Sequence, residues 1–158
     1  MLRLIPPPLH RLLYRIAHRL RVKWWRHFPP QARGVCVIAF DQGGDLLLLR
    51  QSYGTHKWVL PGGGMGRNED PAAAAEREFA EEARCGLRDL AFLHVSEEHF
   101  KGGSSKVHIF AGRVDGMPRP DRREIVDARF FPLHALPADT DGRVLHRLAL
   151  AGYHSSGS

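Results

Sequence analysis

Gly63-Gly64-Met65-Gly66-Arg67-Asn68-Glu69-Asp70-Pro71-Ala72-Ala73-Ala74-Ala75-Glu76-Arg77-Glu78-Phe79-Ala80-Glu81-Glu82-Ala83-Arg84-Cys85 is the stretch that decides the fold of this chain. A glycine-rich segment runs directly into a helix with a well-marked start. Asp70 is a good N-terminal cap, and Pro71 suits the first helical position, where a missing N–H is no loss. Alanines 72–75 are strong helix formers, and Arg77 to Glu82 continue the helix. Glu78, Glu81 and Glu82 stand at i, i+3 and i+4, so their side chains share one helical face.

Three carboxylates on one face repel one another, at about a few tenths of a kcal/mol per pair on a surface helix. A divalent cation reverses the sign of that effect. Mg²⁺ and Mn²⁺ prefer hard oxygen ligands, and Mg²⁺ commonly takes substrate phosphate oxygens as well. The preceding Gly62-Gly63-Gly64 allows a backbone to pass close to a ligand. An acidic helix face alone is usually just solvated, and a glycine triplet alone is usually a turn. Together they describe a site for metal and phosphate.

Outward from this stretch the chain alternates strands and turns. Gly34 to Phe40 is apolar on both faces and rich in β-branched residues, the pattern of a strand buried on both sides. Asp41 to Asp45 has turn chemistry, and Leu46 to Arg50 completes a hairpin. Trp58 to Leu60, Ala91 to Val95, Val107 to Val114 and Ala128 to Phe131 read as further extended segments. Lys101 to Lys106 reads as a basic loop, and Gly142 to Ala151 as a last helix. Strands mixed with a few helices predict an α/β sandwich.

Three parts are expected: a basic appendage over residues 1–32, a core over 33–151, and a small polar, disordered tail over 152–158. In the appendage, Leu9, Leu12, Leu13, Ile16 and Leu20 line one helical face and arginines occupy others. Three readings stay open for residues 9–25: packing on the same domain or on a second subunit as a homodimer, peripheral contact with an anionic membrane surface, or nucleic-acid binding. No recognisable nucleic-acid module supports the last, so specific nucleic-acid binding is not expected.

The totals narrow the class further. At 158 residues, 43% hydrophobic and 25% charged, the chain has the composition of one globular domain rather than a disordered protein. The formal net charge of +6 suits an anionic partner, although much of it sits in the appendage. Cys36 and Cys85 stand among apolar neighbours and read as buried free thiols, which fits a reducing, cytoplasmic setting. No apolar run reaches the roughly 20 residues needed to span a bilayer, and arginines interrupt the N-terminus too often for a signal peptide.

From Gly63, five residues lead to Glu69 and seven more to Arg77, followed by Glu78, the apolar Phe79 and, after Ala80, the pair Glu81-Glu82. This resembles the Nudix box of the Nudix hydrolases at every charged position. Trp58 to Gly62 resembles the family's approach to the box, and Glu124, Phe130-Phe131-Pro132 and Leu136-Pro137 extend the likeness. The resemblance implies a Nudix-type α/β/α sandwich around a mixed sheet, carrying an extra N-terminal amphipathic helix. It also implies metal-dependent cleavage, with Mg²⁺ or Mn²⁺, of the diphosphate bond in a nucleoside diphosphate derivative.

On the resemblance, Glu78 and Glu82 are metal ligands, Glu81 is a further ligand or a contact to metal-bound water, and the Gly63 carbonyl completes the shell. Arg77 holds the catalytic helix through an ion pair with Glu69, and Gly62, Gly63 and Gly64 contact substrate. The family often draws a further ligand or base from downstream. Glu97, Glu98 and Glu124 are candidates, and Glu98 is preferred. The sequence departs from the family pattern at Gly66, at Asn68 and at Arg84, which replaces a glycine after the paired glutamates. The helix is therefore expected to use Gly86 as its terminator. A non-catalytic, nucleotide-sensing domain is the alternative from a different class.

Overall fold

The computed structural model describes residues 32–100, 103–120 and 122–154. The amphipathic segment 9–25 and residues 155–158 lie outside the described residues. The elements are β1 (Ala32–Phe40), β2 (Leu46–Gln51), β3 (Trp58–Val59), β4 (Gly62–Gly64), α1 (Pro71–Ala83), β5 (Gly86–Phe100), β6 (Gly103–Asp115), β7 (Ile125–Phe131), a short 3-10 turn (Leu133–Ala135) and α2 (Gly142–Leu150).

β1 is the centre of the mixed sheet. It pairs in parallel with β6 over its full length, and its other edge is shared by β4 near its start and β2 at its end. β2 also pairs antiparallel with β3 and β7, while β5 pairs antiparallel with β6 at the far side. Burial of β1 on both faces follows from the strand's period of two. Val35, Val37 and Ala39 join Leu47, Leu49, Phe110 and Ile125 beneath α1. Cys36 and Ile38 join Leu46, Leu48, Val107 and Ile109 beneath α2. The molecule is thus an α/β/α sandwich.

The alanines decide how closely α1 approaches the sheet. Ala74, Ala75 and Ala83 are fully buried with Phe79, so small side chains flank one large anchor. Full burial of a phenylalanine contributes about 1.5–3 kcal/mol. The capping signal holds: the Asp70 carboxylate accepts from the Ala73 N–H at 3.0 Å. The C-terminus corrects the expectation. α1 stops at Ala83, and Arg84 itself takes the left-handed conformation, φ 52°, with its N–H donating to the Ala80 carbonyl. Gly86 instead opens β5, opposite Asp115.

Other differences are of extent. The glycine triplet is a strand, because β1 offers it backbone partners from Gly34 to Cys36. The strand expected at Ala91 to Val95 runs through all of Gly86–Phe100, carried across two register shifts. Residues 103–106 of the expected basic loop belong to β6, where Lys106 pairs with Glu97. The tail expected to be disordered from Gly152 begins as ordered chain: the Tyr153 N–H donates to the Leu148 carbonyl, and its ring lies 5.1 Å from that of Phe40. Among the described residues, no helix is long and apolar enough to cross a membrane.

Candidate active site

Two backbone contacts bring the glycine strand against the acidic face of α1. The Gly62 N–H donates to Glu82 Oε2 at 2.8 Å. Gly63 is so close to Glu78 that an added Cβ would lie 2.3 Å from Glu78 Oε2. Gly62 has a different constraint. Its φ is 151°, and a Cβ there would meet the Val35 carbonyl oxygen at 2.2 Å. Both positions therefore need glycine, one for pairing with β1 and the other for the carboxylate.

Arg77 fastens the intervening loop. Its guanidinium donates to both oxygens of Glu69, at 2.8 and 3.1 Å, to Glu78 Oε1 at 2.7 Å and to the Gly64 carbonyl at 3.0 Å. Glu69 in turn accepts from the Gly66 N–H at 2.8 Å. A planar five-donor fork is suited to this bridging; a lysine presents only a point charge. The bonds from Arg77, then from Gly66, hold the Glu69 carboxyl down at about 2.

Glu82 shows the opposite effect. Burial pushes its carboxyl up to about 8, against the pull of the Gly62 N–H, and Glu78, Glu124 and Glu81 add like-charge repulsion. Of Glu78, Glu81 and Glu82, Glu81 is the most exposed, at 62%, with Arg77 3.6 Å away; the Glu78 side chain is only 16% exposed. Glu81, Glu82 and Glu124 share a cavity of about 520 Å³ with Arg77 and Arg84. Of the downstream glutamates, Glu124, just before β7, shares this cavity, whereas the preferred Glu98 lines the other one. Both Glu98 oxygens are taken by Arg147 of α2, at 2.7 and 2.9 Å.

Among the described residues, no three His, Cys, Asp or Glu side chains converge as a ready-made cation cage. Arg77 occupies one oxygen of Glu78, and the Gly62 N–H occupies one of Glu82. The donor set nevertheless suits a hard divalent ion. The oxygens are carboxylates, and the enclosed Glu82 tends to hold a proton that a cation would replace.

A second cavity, about 840 Å³, opens between α2 and the loop over residues 51–57, with Gly62 and Gly63 in its wall. Backbone bonds from Trp58 to Asp139 and from Asp141 to Trp58 tie that loop to the start of α2. Among nearby histidines, His99 lines this cavity and His94 is exposed, while the His108 ring lies 6.4 Å from that of Phe92. Lys57, Arg143, His146 and Arg147 also line it and were missed. The i, i+4 spacing of Arg143 and Arg147 was the available signal, but only the packing of Val144 and Leu148 shows which way that helix faces.

Fold and site together define a sandwich that presents an acidic helix to a glycine strand. The chain belongs to the Nudix family: the NUDIX domain model matches residues 30–151. Curated relatives include an RNA pyrophosphohydrolase of Photorhabdus laumondii subsp. laumondii, 36% identical over 59 residues (37% of this chain, 33% of that protein). Another is diphosphoinositol polyphosphate phosphohydrolase 2 of Homo sapiens, 44% identical over 56 residues (35% of this chain, 31% of that protein). The chain spans about a third of the length of the curated relatives it matches. Among solved structures, a MutT NUDIX hydrolase from Burkholderia pseudomallei superposes with a TM-score of 0.68 at 22% identity, covering 75% of this chain and 96% of that one. A UDP-X diphosphatase does so with a TM-score of 0.66 at 19% identity, covering 78% and 62%. These likenesses show the fold.

Proposed function

We propose that the chain is a divalent-metal-dependent pyrophosphohydrolase that cleaves the diphosphate bond of a nucleoside diphosphate linked to another group. The observation that carries this is the contact of Gly62 and Gly63 with Glu82 and Glu78, which sets a glycine backbone open to close approach beside the acidic face. The curated relatives, whose names specify pyrophosphate chemistry, support the same reaction class.

Glu78 and Glu82 would hold the ion, Mg²⁺ or Mn²⁺, with the Gly63 carbonyl completing its shell. When bound, such an ion neutralises phosphate charge and lowers the pKa of water. The chain supplies the rest. The strand of Gly62 to Gly64 lets the diphosphate approach closely, while the Gly62 N–H stays with Glu82. Arg77 keeps strand, loop and helix in register, so that the carboxylates do not drift apart. Glu81, facing solvent, accepts a proton from the attacking water.

The test is a panel of diphosphate-linked nucleotides incubated with Mg²⁺ or Mn²⁺, with product identification. Metal-dependent release of a nucleoside monophosphate and a phosphorylated second product is expected. Binding across the panel without turnover would instead favour the nucleotide-sensing reading.

A further inference from the structure

The cavity beside α2 continues from the glycine strand, so a group attached to a diphosphate seated there extends into it. Its charged lining is balanced. With His56, His99 and His146 counted as neutral, Lys57, Arg143 and Arg147 line it together with Glu97, Glu98 and Asp141, and Glu97 is itself paired with Lys106. Two of the cations are already paired within the wall, Arg143 with Asp141 and Arg147 with Glu98. A chain with a formal net charge of +6 therefore brings no surplus of positive charge to this cavity. Polyphosphate recognition needs such a surplus.

The Glu98–Arg147 pair is the unusual part of the wall. Both side chains are only 15% exposed, and the pair bridges β5 to α2. A carboxylate offers about four acceptor positions, and Arg147 uses two of them. Packing does not call for an ion pair here, because well-packed apolar residues usually do as well in such a position. A carboxylate held in a cavity wall with acceptor capacity to spare can take further hydrogen-bond donors.

We propose that Glu98 is a specificity-determining residue, oriented by Arg147, that selects substrates whose attached group is uncharged and rich in N–H or O–H donors, and disfavours polyphosphorylated groups. The selection rests on the diphosphate reading of the glycine strand. Glu98 acts by contact, and Arg147 is a positioning residue that acts through it. Removing the carboxylate charge leaves Arg147 uncompensated, which both weakens donor recognition and makes the cavity attractive to anions.

The test compares ADP-ribose with a diphosphoinositol polyphosphate on the full chain, its Glu98→Gln variant and the double variant Glu98→Leu/Arg147→Leu. Both kcat/KM and the dissociation constant from calorimetry are measured, along with thermal unfolding. Wild type is expected to favour ADP-ribose. The preference should fall about tenfold or more in each variant, as loss of a charge-assisted hydrogen bond implies. The unfolding midpoint of the double variant should stay close to wild type. A folded double variant that keeps the wild-type preference would show that the pair merely docks α2, and would overturn the proposal. Wild-type preference for the polyphosphorylated compound would do the same. If the double variant does not fold, the ratio in Glu98→Gln decides. If wild type turns over neither compound, the ratio of dissociation constants still decides this inference, and only the hydrolase reading is lost.

Discussion

The Gly62 N–H donates to the Glu82 carboxylate across 20 residues of sequence, at 2.8 Å, and this bond links glycine strand and acidic helix directly. It is a charge-assisted contact when Glu82 is ionised. It does not suffice to keep Glu82 ionised, because burial and the neighbouring glutamates outweigh it.

The first prediction concerns Glu82→Gln. With its folded-state pKa raised to about 8, Glu82 contributes stability fully below its unfolded value and loses it as pH rises through the folded one. In protein stripped of divalent ions, the Gln variant should be more stable than wild type at pH 8, by about a few kcal/mol at most, and match it near pH 4, as read by thermal unfolding. Turnover with Mg²⁺ should fall at least about a hundredfold. Near-normal rates in this variant would remove Glu82 from the ligand set.

Gly62→Ala and Gly63→Ala should fail differently. At Gly62 the new Cβ meets the Val35 carbonyl and the Cys36 Cα, both immovable backbone, and a positive φ adds strain. Stability should drop by more than about 3 kcal/mol in denaturant titration. At Gly63 the clash is with the Glu78 side chain, which can move. That variant should fold and lose activity, with weaker Mn²⁺ uptake by calorimetry.

Arg84→Gly should stabilise the protein. A left-handed residue other than glycine costs about 1 kcal/mol, and Arg84 has φ 52°. The expected gain is about 0.5–1 kcal/mol in unfolding free energy, read as a higher denaturation midpoint. A lower midpoint would mean that contacts of the arginine side chain outweigh its backbone strain.

Cys36 should resist alkylation. Burial pushes its thiol up to about 11, opposed by Arg147 and reinforced by Glu98. At pH 8 only about one molecule in a thousand carries the thiolate that reacts. Iodoacetamide followed by peptide mass analysis should leave Cys36 unmodified in the folded protein and modify it in denaturant. Rapid labelling of the native chain would contradict its placement beneath α2.

Helix α1, its Asp70 cap and the shared face of its glutamates were legible in sequence, because capping and helical periodicity are local properties that spacing alone expresses. Burial of β1 on both faces was legible for the same reason, as an uninterrupted apolar run. Other features depended on partners far along the chain. The glycine triplet became a strand because β1 lay beside it, Arg84 turned left-handed where α1 meets β5, Glu98 paired with Arg147, and Glu124 came to line the same cavity as Glu82. Sequence determined which carboxylates share a helix. Only the tertiary structure decided which distant residue each would face, since that depends on sheet register and on how the elements pack against one another.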